Sequence, residues 1–369
     1  MSIVQVFYSR ITKHGSFEDF MIELARQSKE RGMTLSFVFP NMKTQAVKDT
    51  LERFDAKVYV VSTRWESFLF LGKVLKIIKR QDADTVDFHF CSSLNFILLF
   101  LILRIMRKKV IFHYHGEIKP LEELGFFNHH FSRLRLLTFF VNRVVCVSGA
   151  NKRYLEALNI RKSIDVIYNG INIENFTHTH IERDFRKEFG FTNGERIVTA
   201  MGSLIPRKGI DVLLRAARLT MDCKPDVRFV FIGGGDKAKY EKLAKDLGIE
   251  GKVYFTGLIK EYPYYILRAS DVYVSASFAE SFGLSIAEAQ VLGLPVVATS
   301  VGGVPEVVDG GRTGLLVASG DDSALAEAIV RLLEDEDLQE YLCREAAVYV
   351  RAKFNIQEKV KELIDVCFS

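Results

Sequence analysis

The chain is short of cysteine, and the few it has are ill placed for a framework. Cys91, Cys146, Cys223, Cys343 and Cys367 are odd in number, widely scattered and without C-x-x-C spacing. That pattern supports neither a disulfide scaffold nor a zinc site, and it fits a reducing, cytoplasmic setting. Also missing is an apolar run long enough to cross a bilayer. Residues 94–103 are strongly apolar but meet Arg104 after about half the length of a span. A buried helix is expected there. No leader is read at the start either, because Ser2 to Tyr8 is β-branched and aromatic like the first strand of a sheet. The basic residues lack a recognised nucleic-acid reading element, so no nucleic-acid partner is expected.

What is present is a chain of 369 residues, long for one domain and suited to two of about 180 each. Hydrophobic residues make up 48% and charged residues 26%, which excludes a disordered protein and allows substantial cores. Charge is unevenly divided. Residues 1–180 hold 26 Lys and Arg against 17 Asp and Glu, and residues 181–369 hold 24 against 29, so the halves carry +9 and −5. The asymmetry points the first lobe at something anionic, a membrane surface or a phosphate-bearing acceptor, and reads equally as a solvated basic face.

Apolar runs alternate with helical patterns along the chain. Strands are expected at 3–8, 35–39, 85–90, 110–113 and 144–147, and again at 197–201, 227–232, 252–255, 272–274 and 295–298. Helical stretches between them, such as 17–31 and 209–219, imply two doubly wound α/β lobes with parallel sheets. The polar, strand-poor stretch 173–196 is the expected linker. Domains are accordingly placed at 1–180 and 181–350, and helices are read at 321–333, 338–354 and 356–368.

In open parallel sheets, ligands bind outside the carboxyl ends of the strands, and the notable residues fall there. After 197–201 comes Gly202-Ser203-Leu204-Ile205-Pro206-Arg207-Lys208-Gly209, with two cations able to neutralise a diphosphate, Lys208 as a point charge and Arg207 as a fork. Such a run is also common as surface charge. After 227–232 comes Gly233-Gly234-Gly235-Asp236, which allows close approach by a flat ring or makes an ordinary turn; after 252–255 comes Thr256-Gly257-Leu258. Gly283 makes a tight turn, with Ser281 as the expected helix cap. The amides of Phe282, Gly283 and Leu284 then favour an anion. Glu280 at the mouth and Glu288 deeper down the helix, about 12 Å of rise apart, can accept bonds from hydroxyls at opposite ends of one elongated ligand. A nucleoside diphosphate sugar has that shape.

In the first lobe His115 closes the run Val110 to His113-Tyr114-His115-Gly116 and is the best placed of the eight histidines, although His113 points to the same face. His129 and His130 sit in an aromatic, basic stretch, 126–143, that reads as a membrane-facing surface or as core packing. Gly15 follows the first strand at an anion-friendly position.

These motifs, in this order, resemble the retaining glycosyltransferases of family 4, with the two-lobed GT-B architecture. The resemblance is carried by G-S-L-I-P-R-K-G, F-I-G-G-G-D, V-Y-F-T-G, A-S-D-V-Y-V-S-A-S, the Glu280 and Glu288 pair, and G-L-P-V-V-A-T-S-V-G-G-V-P-E-V-V, with H-Y-H-G and V-I-Y-N-G-I-N in the first lobe. It implies that Glu280 holds hydroxyls of the transferred sugar and Glu288 the ribose. The amides near Phe282, Gly283 and Leu284 would hold phosphate, Lys208 would stabilise the leaving diphosphate, and His115 would contact the sugar. It also implies a last helix, 351–369, that crosses back to the first lobe, and a donor, commonly a UDP-sugar, used without cofactor or metal. No D-x-D pair stands at a strand end. The family often has arginine directly after the first glycine of the cationic loop; here that position is Ser203, leaving Arg207 as the replacement. The glycine pair usual near the amino terminus is reduced to Gly15. The acceptor, whether a sugar, a lipid-linked molecule or a small metabolite, stays open, as does peripheral contact with a membrane. A phosphorylase, a non-catalytic sugar-nucleotide-binding subunit and an epimerase are the rival readings.

Overall fold

A computed structural model describes the chain from Met1 to Ser369 apart from residues 9, 12–14, 43, 63–66, 92, 117, 119–128, 178–183, 193 and 260–262, and apart from the side chains of 10–11 and 129–132. It divides into two units. The first is Met1–Gly170 together with Ile356–Ser369, and the second is Ile171–Asn355.

In the first unit the strands are β1 (Ser2–Phe7), β2 (Arg10–Ile11), β3 (Thr34–Phe39), β4 (Asn41–Met42), β5 (Lys57–Val60), β6 (Thr85–His89), β7 (Lys109–Tyr114), β8 (Arg143–Cys146) and β9 (Ser163–Val166). Among the described residues they make a seven-stranded sheet in the order β5-β3-β1-β6-β7-β8-β9, with β2 and β4 paired apart. Among the described residues all its strand pairings are parallel. Its helices are α1 (Ser16–Glu30), α2 (Gln45–Arg53), α3 (Phe68–Arg80), α4 (Phe96–Ile105), α5 (His129–Phe139) and α6 (Gly149–Ala157).

The second unit contains α7 (Glu174–Thr177), α8 (Phe185–Glu188), β10 (Arg196–Met201), α9 (Ile210–Cys223), β11 (Val227–Ile232), α10 (Lys237–Asp246), β12 (Val253–Gly257), α11 (Tyr264–Arg268) and β13 (Val272–Ser275). It continues with α12 (Leu284–Val291), β14 (Val296–Thr299), α13 (Val304–Val307), β15 (Leu315–Val317), α14 (Asp322–Glu334) and α15 (Glu336–Lys353). Its sheet runs β12-β11-β10-β13-β14-β15, again parallel.

Period-two alternation decides how each sheet is covered. In the first unit Val4, Val6, Val86 and Phe88 face the core under α3, α4, α5 and α6. Ile3, Phe7, Phe37 and Ile111 face the opposite core, under α1 and α2. Covering that face too is α16 (Ile356–Phe368), whose Ile356, Val360, Leu363 and Ile364 are buried there. The helix thus completes a unit whose other residues lie more than 180 positions earlier in the chain. Among the described residues no helix is long and apolar enough to cross a membrane.

One expectation needs correction. Residues 173–196 are not all linker, because Phe185 is buried and its ring packs against Phe189, Phe191 and Tyr265. Polar neighbours hid an aromatic anchor of the second core.

Candidate functional site

In the second unit the candidate residues gather on loops at the carboxyl ends of β10, β11, β12, β13 and β14. Pro206–Lys208 is one turn of 3-10 helix closed by Gly209, whose φ is +62° and whose Cβ position would lie 2.0 Å from the carbonyl oxygen of Ala276. Only glycine fits between two backbones at that distance. The loop is fastened further by Phe278 N donating to Arg207 O at 2.8 Å and by Arg207 Nη1 donating to Ala279 O at 3.1 Å. Arg207 therefore ties the cationic loop to the segment that carries Glu280. Lys208 Nζ donates to Glu280 Oε2 in a close ion pair, the two side chains 18% and 16% exposed.

Glu280 is anchored from the other side as well. Gly303 N donates to Glu280 O at 3.0 Å, and Gly302, with φ +51°, would bring a Cβ to 2.0 Å of the same oxygen. Gly202 and Gly233 meet in the same way, since a Cβ on Gly233 would lie 1.9 Å from Gly202 O. Gly234 faces Leu258, whose side chain is 59% exposed. The structure thus brings Gly202, Arg207, Lys208 and Glu280 into one linked loop set, with Gly234 and Leu258 beside each other.

Helix α12 begins later than expected. Its cap position is Gly283, φ +107°, with no side-chain cap, so Ser281 does not cap it. Glycine's left-handed turn replaces the hydroxyl. The first intrahelical bonds run from Ile286 N and Ala287 N to Gly283 O at 3.0 and 3.2 Å, leaving the amides of Leu284 and Ser285 ahead of them. Phe282 is buried, its ring edge-on to Phe354 at 5.1 Å. Because Glu280 stands outside the helix, helical rise does not set its separation from Glu288. Glu288 is 8% exposed within α12. Sequence reasoning missed Tyr273, a buried phenol that feels the charge of both glutamates. Burial raises its phenol above the ordinary value; a hydrogen bond with Ser285 opposes this, and the charges of Glu288 and Glu280 add to it. Its hydroxyl donates to Met201 O at 3.4 Å.

In the first unit Gly15 precedes α1 in an extended conformation, its carbonyl accepting from Asp19 N at 3.0 Å. His129 and His130 start α5, but their side chains lie outside the described residues. His115 is half-buried, its ring stacked on Phe90 at 4.2 Å and edge-on to Phe17 at 5.8 Å.

Behind His115 runs a polar line that the sequence reading did not find. Strands β1, β6 and β7 are in register, with Gln5 beside Asp87 and His89 beside His113. His115 Nε2 lies 3.0 Å from His89 Nδ1, and His89 Nε2 lies 3.1 Å from Asp87 Oδ2 and 2.5 Å from Gln5 Oε1. The proton order follows from the acceptor at the end. A carboxylate only accepts, so His89 carries its proton on Nε2; a neutral His89 then accepts at Nδ1, and His115 must donate from Nε2. Burial raises Asp87, but His89 and His113 outweigh it and hold the carboxyl below its usual range. Burial pushes His89 down against the pull of Asp87. It pushes His115 well down, helped by His113 and His89. The nitrogens of His89, His113 and His115 lie within 4.8 Å of one another, as ligands of a metal would. Yet the three rings stack with interplanar angles of 13° to 29°, so their in-plane lone pairs run side by side. A hydrogen-bonded chain suits that geometry better than chelation.

Two parallel-sheet α/β units, each with its candidate residues on loops after the strands, are the GT-B architecture. A solved structure of Anabaena HepE in complex with UDP-glucose has this fold with a TM-score of 0.81 at 24% identity, covering 99% of this chain and 100% of that one. Residues 181–348 match the family profile "Glycosyl transferases group 1", and residues 18–175 match "Glycosyltransferase Family 4". The chain belongs to the family 4 glycosyltransferases, which makes it an enzyme of the hexosyltransferase class. It is 25% identical to the N-acetyl-alpha-D-glucosaminyl L-malate synthase of Bacillus anthracis over 92% of this chain and 90% of that protein. It is 35% identical to the D-inositol 3-phosphate glycosyltransferase of Corynebacterium jeikeium over 54% of this chain, a match that spans half of that relative.

Proposed function

We propose that this protein moves a hexose or N-acetylhexosamine from a UDP-sugar to an acceptor hydroxyl, keeping the α configuration and needing no metal ion. The observation that carries the reading is the Lys208 and Glu280 pair, held by glycine contacts on both sides next to the uncapped start of α12. A cation, a carboxylate and outward amides on rigid loops match the three needs of the donor. Lys208 meets the diphosphate, exchanging Glu280 for phosphate oxygens when the donor enters. Glu280, so released, accepts from hydroxyls of the sugar. The amides of Phe282, Gly283 and Leu284 face phosphate, and Glu288 accepts from the ribose. Gly202, Gly234 and Leu258 border the nucleotide, and Arg207 holds the loop and adds charge.

In this reading the second unit binds the donor and the first, with Gly15 and His115, serves the acceptor and the reacting sugar. Charge grows on the departing diphosphate, so a cation and helix amides already aimed there act where stabilisation lowers the barrier. The HepE complex with UDP-glucose supports UDP as the donor nucleotide to try first. The test is a thermal-shift panel of nucleotide sugars, in which a ligand at 100 times its Kd adds about 2.7 kcal/mol, followed by NMR of the product's anomeric centre. Binding of no nucleotide sugar, or an inverted product, would end the reading. Donor epimerised without transfer would replace it with the epimerase.

A further inference from the structure

The two helical layers of the first unit differ in charge. On one side, α1 carries Glu18, Asp19, Glu23 and Glu30, and α16 carries Glu358, Glu362 and Asp365, among their cations. On the other, α3, α4 and α5 pack as neighbours and contain no Asp or Glu, while α6 of the same layer carries Glu156 with Lys152 and Arg153. They contribute Lys73, Lys76, Lys79 and Arg80 from α3, Arg104 from α4, and Arg133 and Arg135 from α5. The acids that follow α3 are engaged, Asp82 with Lys108 Nζ at 2.9 Å and Asp84 with the Ser2 amide at 2.9 Å.

The outward side of these helices is not wholly polar, as that of an ordinary surface helix would be. Helix α4 buries Phe96, Leu99, Phe100 and Leu103, yet leaves Leu98, Leu101 and Ile105 exposed by 49%, 40% and 74%. The first two residues of α3, Phe68 and Leu69, are 70% and 73% exposed, and α5 ends on Phe139 at 67%. Single exposed apolar residues mean little, but apolar side chains on three adjacent helices, interleaved with cations and with no Asp or Glu on those helices, mark an interaction surface.

We propose that the α3, α4 and α5 face of the first unit docks on an anionic lipid bilayer. Charge complementarity selects this occupant: the apolar side chains enter the headgroup boundary while the lysines and arginines meet lipid phosphates. The helices lie on the surface rather than crossing it. The inference stands on the first unit alone and does not draw on the donor reading.

The experiment is co-sedimentation of the full chain with vesicles of phosphatidylcholine, with and without phosphatidylglycerol, at low and high salt. Binding is expected on the anionic vesicles, about tenfold or more weaker on neutral ones, and reduced by salt. Two variants, Leu101→Asp/Ile105→Asp and Lys73→Glu/Lys76→Glu/Lys79→Glu, are each expected to lose binding about tenfold or more while keeping the wild-type melting temperature. Equal binding to both vesicle types, none to either, or undiminished binding by folded variants overturns the proposal. A lipid-free dimer that Leu101→Asp/Ile105→Asp dissolves would overturn it in favour of a second copy of this chain.

Discussion

Acid should loosen this enzyme at a pH where its carboxylates are still ionised, because two of its histidines, one buried and one half-buried, resist protonation. His89 and His115 both have their acidity shifted so that the folded protein keeps them neutral, whereas in the unfolded chain they take up protons near 6.5. The unfolded state therefore binds more protons below 6.5, and stability rises with pH through that window and is fully present above it. At pH 5.5 each group costs up to about 1.4 kcal/mol relative to pH 7.5, and the pair up to about 3 kcal/mol. For a unit of this size that is a fall in Tm of roughly 6 to 11 °C. Scanning calorimetry at the two pH values measures it, and His89→Asn, which removes one of the two groups, should shrink the acid-induced fall by about half. The comparison cancels the remaining histidines. A wild-type Tm unchanged between the two pH values, or a His115 ring signal titrating near 6.5 by NMR, would refute the neutral chain.

Lys208→Ala should lower kcat by about a hundredfold or more, about 2.7 kcal/mol of barrier, with a smaller effect on KM. A variant with unchanged turnover would remove Lys208 from the chemistry. Gly302→Ala, which forces a Cβ against Glu280 O, should cost about 1–3 kcal/mol of stability and weaken UDP binding. Gly311→Ala, with a similar φ of +80° but open space around it, should leave UDP binding untouched. Leu363→Ala in α16 should destabilise by about 2–5 kcal/mol, read by chemical denaturation, because Leu363 is fully buried.

The alternation of strands and helices was legible because buried parallel strands are continuous apolar runs, as in Val227–Ile232. Three edge strands were not: Lys57–Val60, Ser163–Val166 and Leu315–Val317 each end a sheet, and their partly exposed residues make no continuous apolar run. Serine favours the cap position, but the positive φ at Gly283 puts the cap there, two residues beyond Ser281. The loops after strands announced Lys208 and Glu280 through glycine and charge. The partners of His115 gave a fainter signal. Gln5, Asp87 and His89 are polar residues inside otherwise apolar strands, and the register that unites them spans 26 to 84 positions of sequence.

The placement of α16 also bears on how the protein is born. Since α16 supplies core to the unit that begins at Met1, the amino-terminal sheet leaves the ribosome with one face only partly covered, by α1 and α2, and waits through the synthesis of the entire second unit for the rest. Its final consolidation therefore awaits α16. An expression fragment ending at Gly170 would be permanently in that unfinished state.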